Sequence, residues 1–158
     1  MTGAIDPRHY PPRRLPPTTR DTTRARLRAV PKIDPRERFG PQYAELTRLV
    51  ETAATIEPEQ GRAIENTWYQ HRGRRRFAAR SAASSAAAKA GRLICQIDAR
   101  QAAWSASELP SRDAAGDAAH ALAVRDLIGE IFTHEDYDEL VLPWVATMGA
   151  IHPQDGAA

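Results

Sequence analysis

Residues His71–Arg80 read HRGRRRFAAR, with five arginines and no acid in ten residues. Clustered guanidinium groups suit the planar, two-pronged binding of phosphate or carboxylate. Arg72, Arg74, Arg75, Arg76 and Arg80 are therefore candidate nucleic-acid contacts. The first 38 residues add ten basic and four acidic side chains, a net of +6. Residues 108–158 hold two arginines and ten carboxylates, a net of −8. A basic front and an acidic rear suit a phosphate backbone or head-to-tail packing of copies. A solvated helix start plus a disordered tail explains the layout as well. The chain has 20 arginines and two lysines, spread along its length, as codon usage in a GC-rich genome also produces.

Five histidines, His9, His71, His120, His134 and His152, invite a metal reading. None belongs to an H-E-x-x-H or paired-cysteine pattern. His134 and Asp138 have helical metal-pair spacing, as do Glu135 and Glu139, but an exposed acidic first turn accounts for all four. His120 falls on the apolar side of its helix, as a hydrogen-bonded, half-buried residue would. There is no G-x-S-x-G, phosphate loop or dinucleotide glycine pattern. Ser84 and Ser85 are spacers in an alanine run, and Glu65, Asp98 and Asp126 are single carboxylates. The reading is of a non-enzyme, with no catalytic residue, metal ligand or cofactor assigned.

These side chains need elements to carry them. At 158 residues the chain suggests one domain. The apolar fraction is 42% but aromatics are only 6%, so alanine must fill much of the core, which favours closely approaching helices. The lone Cys95 excludes an intramolecular disulfide, and its place in RLICQI suggests a small core residue. No apolar run is long enough for a membrane span, and no signal-peptide core is visible. The expected location is the cytoplasm, with no membrane partner.

The expected fold is all-α: a small helical bundle with one long alanine-rich helix and an extended N-terminal arm. Residues 1–40 hold most of the prolines and form a Pro/Arg-rich extended or disordered arm. Residues 41–152 form the helical domain, and 153–158 a tail. Tyr43, Leu46, Leu49, Val50 and Ala53 mark one buried helical face. Pro58 opens a second helix, with Ile64 and Trp68 on one side. From Arg74 to Ser105 no proline intervenes, which predicts one long helix. Leu93, Ile97 and Trp104 lie on one side of it, and Gly91 is a weak point or a close contact. Pro110 stops that helix. Ser111 is the expected N-cap of the next, which uses Ala121, Val124, Leu127, Ile128 and Ile131 and ends near Phe132. Thr133 and Asp136 have capping-box spacing. The helix they open turns Tyr137, Leu140 and Val141 inward, and Pro143 ends or kinks it. Trp144 then tucks against the core, and Gly149 caps the end.

The segment holding Arg125, Asp126, Leu127, Ile128, Tyr137, Leu140, Pro143 and Trp144 resembles the C-terminal part of a set of uncharacterised alanine-rich helical proteins. Actinobacteria and their phages carry this set. The resemblance covers about the last third of the chain. It implies a helical fold and an actinobacterial or phage origin, and no activity. The expected function is that of an interaction protein whose arm docks on a protein partner or another copy. Tyr10, Leu15, Leu27, Val30 and Ile33 are its anchors. The alternative is a nucleic-acid-binding accessory protein that uses the arm and the arginine cluster.

Overall fold

The computed structural model describes residues 34–71 and 73–156. The arm anchors Tyr10, Leu15, Leu27, Val30 and Ile33, and Arg72 of the cluster, lie outside the described residues. The rest is all-α: no strand occurs among the described residues, and Ile128 and Phe132 form an isolated bridge.

Helix α1, Pro35–Phe39, falls inside the segment assigned to the arm. Asp34 caps it by accepting from the Arg36 amide at 3.0 Å, Pro35 opens it, and Phe39 is buried. A helix with a buried phenylalanine thus lies within the segment assigned to the arm. Helix α2, Tyr43–Ala53, buries Leu46, Leu49, Val50 and Ala53 on the expected face. Helix α3, Pro58–Gln70, starts at its proline and buries Ile64.

The predicted long helix is two helices, α4 (Arg74–Lys89) and α5 (Leu93–Ala106). Gly91 sits at φ +71°, and the Arg92 amide donates back to the Ala87 carbonyl at 2.8 Å. That is a Schellman termination, which favours glycine because only it adopts this φ without strain. A side chain at Gly91 would meet no atom within 4 Å, so backbone conformation and not close contact selects the glycine.

Helix α6, Arg112–Leu122, is the axis of the bundle, and every residue from Ala114 to Leu122 is buried. Its most extensive packing is with α5, where Ala99, Ala102, Ala103 and Ala106 are buried. The alanines let the helices approach closely, as the composition suggests. Helix α7, His134–Met148, packs on α6, α4 and α3. The expected helix through Val124, Leu127 and Ile131 stops at Leu122; a turn over Arg125–Leu127 follows, and Ile131 is exposed. Ser111 occupies the N-cap of α6, but its hydroxyl donates to the Glu108 carbonyl instead of capping an amide.

The Thr133 capping box is present. The Asp136 amide donates to Thr133 Oγ1 at 3.2 Å, and the Thr133 amide donates to Asp136 Oδ2 at 2.9 Å. Pro143, expected to end or kink α7, lies inside it, and the helix runs on to Met148. Tyr137, Leu140, Val141, Pro143 and Trp144 are all buried. This packing outweighs the missing proline donor. Gly149 ends the helix at φ +86°.

Candidate docking groove

Of the four described arginines of the cluster, Arg76 and Arg80 turn toward the body, while Arg74 and Arg75 are exposed. Arg75 bonds to Asp136 across to α7. Arg76 is only 3% exposed. Its guanidinium lies 4.7 Å from the centroid of the Trp68 ring, donates to the Trp68 carbonyl at 3.0 Å, and has Asp117 at 3.7 Å. Burial pulls the Arg76 pKa below its usual range, against the pull of Asp117. Arg80 grips Asp117 with two bonds, at 2.7 and 3.1 Å, and the Trp68 indole adds a third at 3.1 Å. Asp117 itself is fully buried in α6. Arg74 is exposed and has no ion-pair partner among the described residues.

Arg92, at the start of α5, binds both oxygens of Asp126, at 2.9 and 2.7 Å. Burial alone would raise the carboxyls of Asp126 and Asp136, but hydrogen bonds from Arg92 and Arg75 hold both below the usual range. Arg75, Arg76 and Arg80 of the basic front therefore meet carboxylates of the acidic rear within one molecule. Arg125 clasps Asp155 at 2.8 Å, and the Tyr137 hydroxyl, its pKa pushed up by burial, donates to the same carboxylate. Asp155, assigned to the tail, is thus tied to the body.

The histidines and cysteine are placed as follows. His134 and Asp138 stand 3.6 Å apart on the exposed surface. No group of three metal-binding side chains gathers among the described residues. Cys95, expected in the core, is half-buried where α5 meets α1, its thiol 3.7 Å from the Glu37 carbonyl.

Leu93, Ile97 and Trp104 share one side of α5, as their spacing predicts, but that side faces outward. Ile97 is 52% exposed, and the neighbouring Ile94 is 76% exposed. The buried stripe is alanine together with Gln96. The outward stripe borders a groove of about 440 Å³. Ser84 of α4 forms one wall, and His120 and Gln96 contribute polar groups. Leu93, Ile97, Arg100, Gln101 and Trp104 complete the α5 side. The Arg112 guanidinium stacks 4.6 Å from the centroid of the Trp104 ring and holds the indole in place.

Two acceptors at this groove are unusual. Gln96 donates through Nε2 to the His120 carbonyl at 3.1 Å, which leaves Oε1 without a partner. His120 Nε2 lies 3.2 Å from Ser84 Oγ and 3.3 Å from the Arg80 carbonyl, and Nδ1 has no partner. A carbonyl only accepts, so the proton is assigned to Nε2 and Nδ1 keeps a bare lone pair. Burial lowers the His120 pKa to about 4 and keeps the ring neutral. Grooves of about 410 and 430 Å³ elsewhere lack unpartnered buried polar side-chain atoms in their linings. Gln96, Arg100 and the outward turn of the apolar side of α5 escape the sequence reading. The available signal was a helix with two stripes, one large and apolar, one alanine.

Among the described residues the fold is that of an alanine-packed helical bundle in which α5 presents an exposed apolar face. No family model matches the chain, and neither a curated protein nor a solved structure matches it. No helix among the described residues is long and apolar enough to cross a membrane.

Proposed function

We propose that the protein is a non-enzymatic interaction protein acting in the cytoplasm, and that its helical body docks a protein partner on the outer face of α5. The observation that carries this reading is the inverted helix. Alanine faces the core while Leu93, Ile94, Ile97 and Trp104 face outward. Contiguous exposed apolar side chains around a groove mark interaction surfaces. The arm, with Tyr10, Leu15, Leu27, Val30 and Ile33, supplies a second set of anchors on the same assembly. The resemblance to actinobacterial and phage proteins is what supports a bacterial or phage setting for that assembly.

Affinity purification from the native host tests the proposal with three full-length proteins: wild type, Ile94→Asp/Ile97→Asp, and a variant with the five arm residues changed to Ser. A partner held by wild type and lost from the α5 variant is expected. Equal recovery with all three would refute it. The nucleic-acid alternative relies on Arg72, Arg74, Arg75, Arg76 and Arg80, of which Arg76 and Arg80 are engaged with Asp117. Duplex DNA binding that falls steeply with salt would revive it.

A further inference from the structure

We infer that the α4–α5 groove is built for an acidic, amphipathic helix of a partner protein whose central anchor is a tryptophan or tyrosine. This rests on the docking reading above and specifies the chemistry of the same face. Three observations select the occupant. The first is length: Leu93 to Trp104 spans three turns, about 16 Å of helix, which suits a docked helix with anchors three and four residues apart.

The second is charge. The groove lining carries Arg100 and no carboxylate. Residues 73–107, which hold both α4 and α5, have seven basic side chains and Asp98 as their one acid. Even after Arg75, Arg76, Arg80 and Arg92 pair internally, Arg100 remains without a partner among the described residues. A partner helix with Asp or Glu beside its apolar stripe meets that charge.

The third is the pair of orphan acceptors. Gln96 and His120 are 0% and 5% exposed, and each carries one unpartnered acceptor. Both atoms are closed to solvent, so a donor reaches them only as the groove side chains part, and because an unpaired buried acceptor is costly that bond gains more than an ordinary surface bond. Leu93, Ile97 and Trp104 supply the apolar part of the lining beside its polar residues, so the donor suits a group that is largely apolar. An indole N–H or phenol O–H on its ring meets both demands. Small side chains on α4, Ser84 among them, leave room for the ring.

The test is selection from a displayed library of 18-residue helical peptides on the full-length protein, with Ile97→Asp as the counter-target. Enriched peptides should carry Trp or Tyr flanked by Asp or Glu at helical spacing. Their affinity should fall about tenfold with Gln96→Leu and about tenfold with Arg100→Glu. The Arg100→Glu loss should shrink at high salt. Arg100 is exposed, so this variant reports on the groove even if Gln96→Leu melts early. Peptides lost on Ile97→Asp but indifferent to both other variants would overturn the inferred chemistry and leave the docking face standing. No peptide sensitive to Ile97→Asp would overturn the docking reading itself. Concentration-dependent dimers abolished by Ile97→Asp would make a second copy the occupant. Binding seen only when the five arm residues are changed to Ser would make it the chain's own N-terminal segment. Either result overturns the partner helix.

Discussion

Replacing Asp117 by Asn removes one negative charge from the centre of the bundle and nearly preserves volume. The carboxylate is fully buried and accepts two bonds from Arg80 and one from Trp68. The Arg80 side chain is 30% exposed and can turn toward water, so its loss amounts to about 1 kcal/mol. Arg76, at 3% exposure, has no such escape. Its Nε and Nη1 atoms already lack hydrogen-bond partners, and Asp117 is its counter-charge at 3.7 Å. An uncompensated buried guanidinium adds about 2–3 kcal/mol, giving roughly 3–4 kcal/mol in all. For a body of this size the melting temperature should fall on the order of 10–25 °C. Urea melts followed by far-UV circular dichroism measure the loss directly. Asp126→Asn is the control, because the Arg92–Asp126 pair is partly exposed and should lose no more than about 1 kcal/mol. If Asp117→Asn loses less than about 1 kcal/mol, the buried charge network does not hold α3, α4 and α6 together.

Other outcomes follow from the same contacts. Trp144→Ala, at a side chain 1% exposed, should cost about 3–5 kcal/mol in denaturant melts. Gly91→Ala should cost about 1–2 kcal/mol through its positive φ alone, with no steric penalty. His120 is held neutral with its pKa near 4 against 6.5 when unfolded. The unfolded chain therefore binds the extra proton first, and stability is full above pH 6.5 and declines as pH falls to about 4. The total loss is about 3 kcal/mol from the 2.5-unit difference. His120→Gln should flatten melting temperature against pH across that window, and an unchanged slope would contradict the assignment.

What the sequence makes legible depends on whether a signal is local. The Thr133 capping box, the face of α2 and the glycine stop at Gly149 are short-range devices, and each appears as read. The burial of Trp144 is also as read, because Tyr137, Leu140 and Trp144 repeat at helical spacing. Pro143 misleads as a stop because the rule for helix breaking omits tertiary packing, and here the packed face carries the helix through. Gly91 reads as a weak point, but its positive φ depends on how α4 and α5 must turn. The sequence puts Leu93, Ile97 and Trp104 on one side of α5 but does not say which way that side faces. Large apolar residues ordinarily mark the core, yet a partner helix as alanine-rich as α6 selects the alanine stripe and turns Ile97 and Trp104 outward. The arginine cluster has the same character: composition shows five guanidinium groups, but the fold decides that Arg76 and Arg80 meet Asp117, 41 and 37 residues along the chain.

The most direct test of the central claim is the unfolding free energy of full-length Ile94→Ser/Ile97→Ser in urea. Both side chains are more than half exposed, so the account predicts a change within about 0.5 kcal/mol of wild type, as for surface substitutions away from any core contact. A loss of about 2 kcal/mol or more would show that these residues belong to the protein's own core, and would contradict a face held open for a partner.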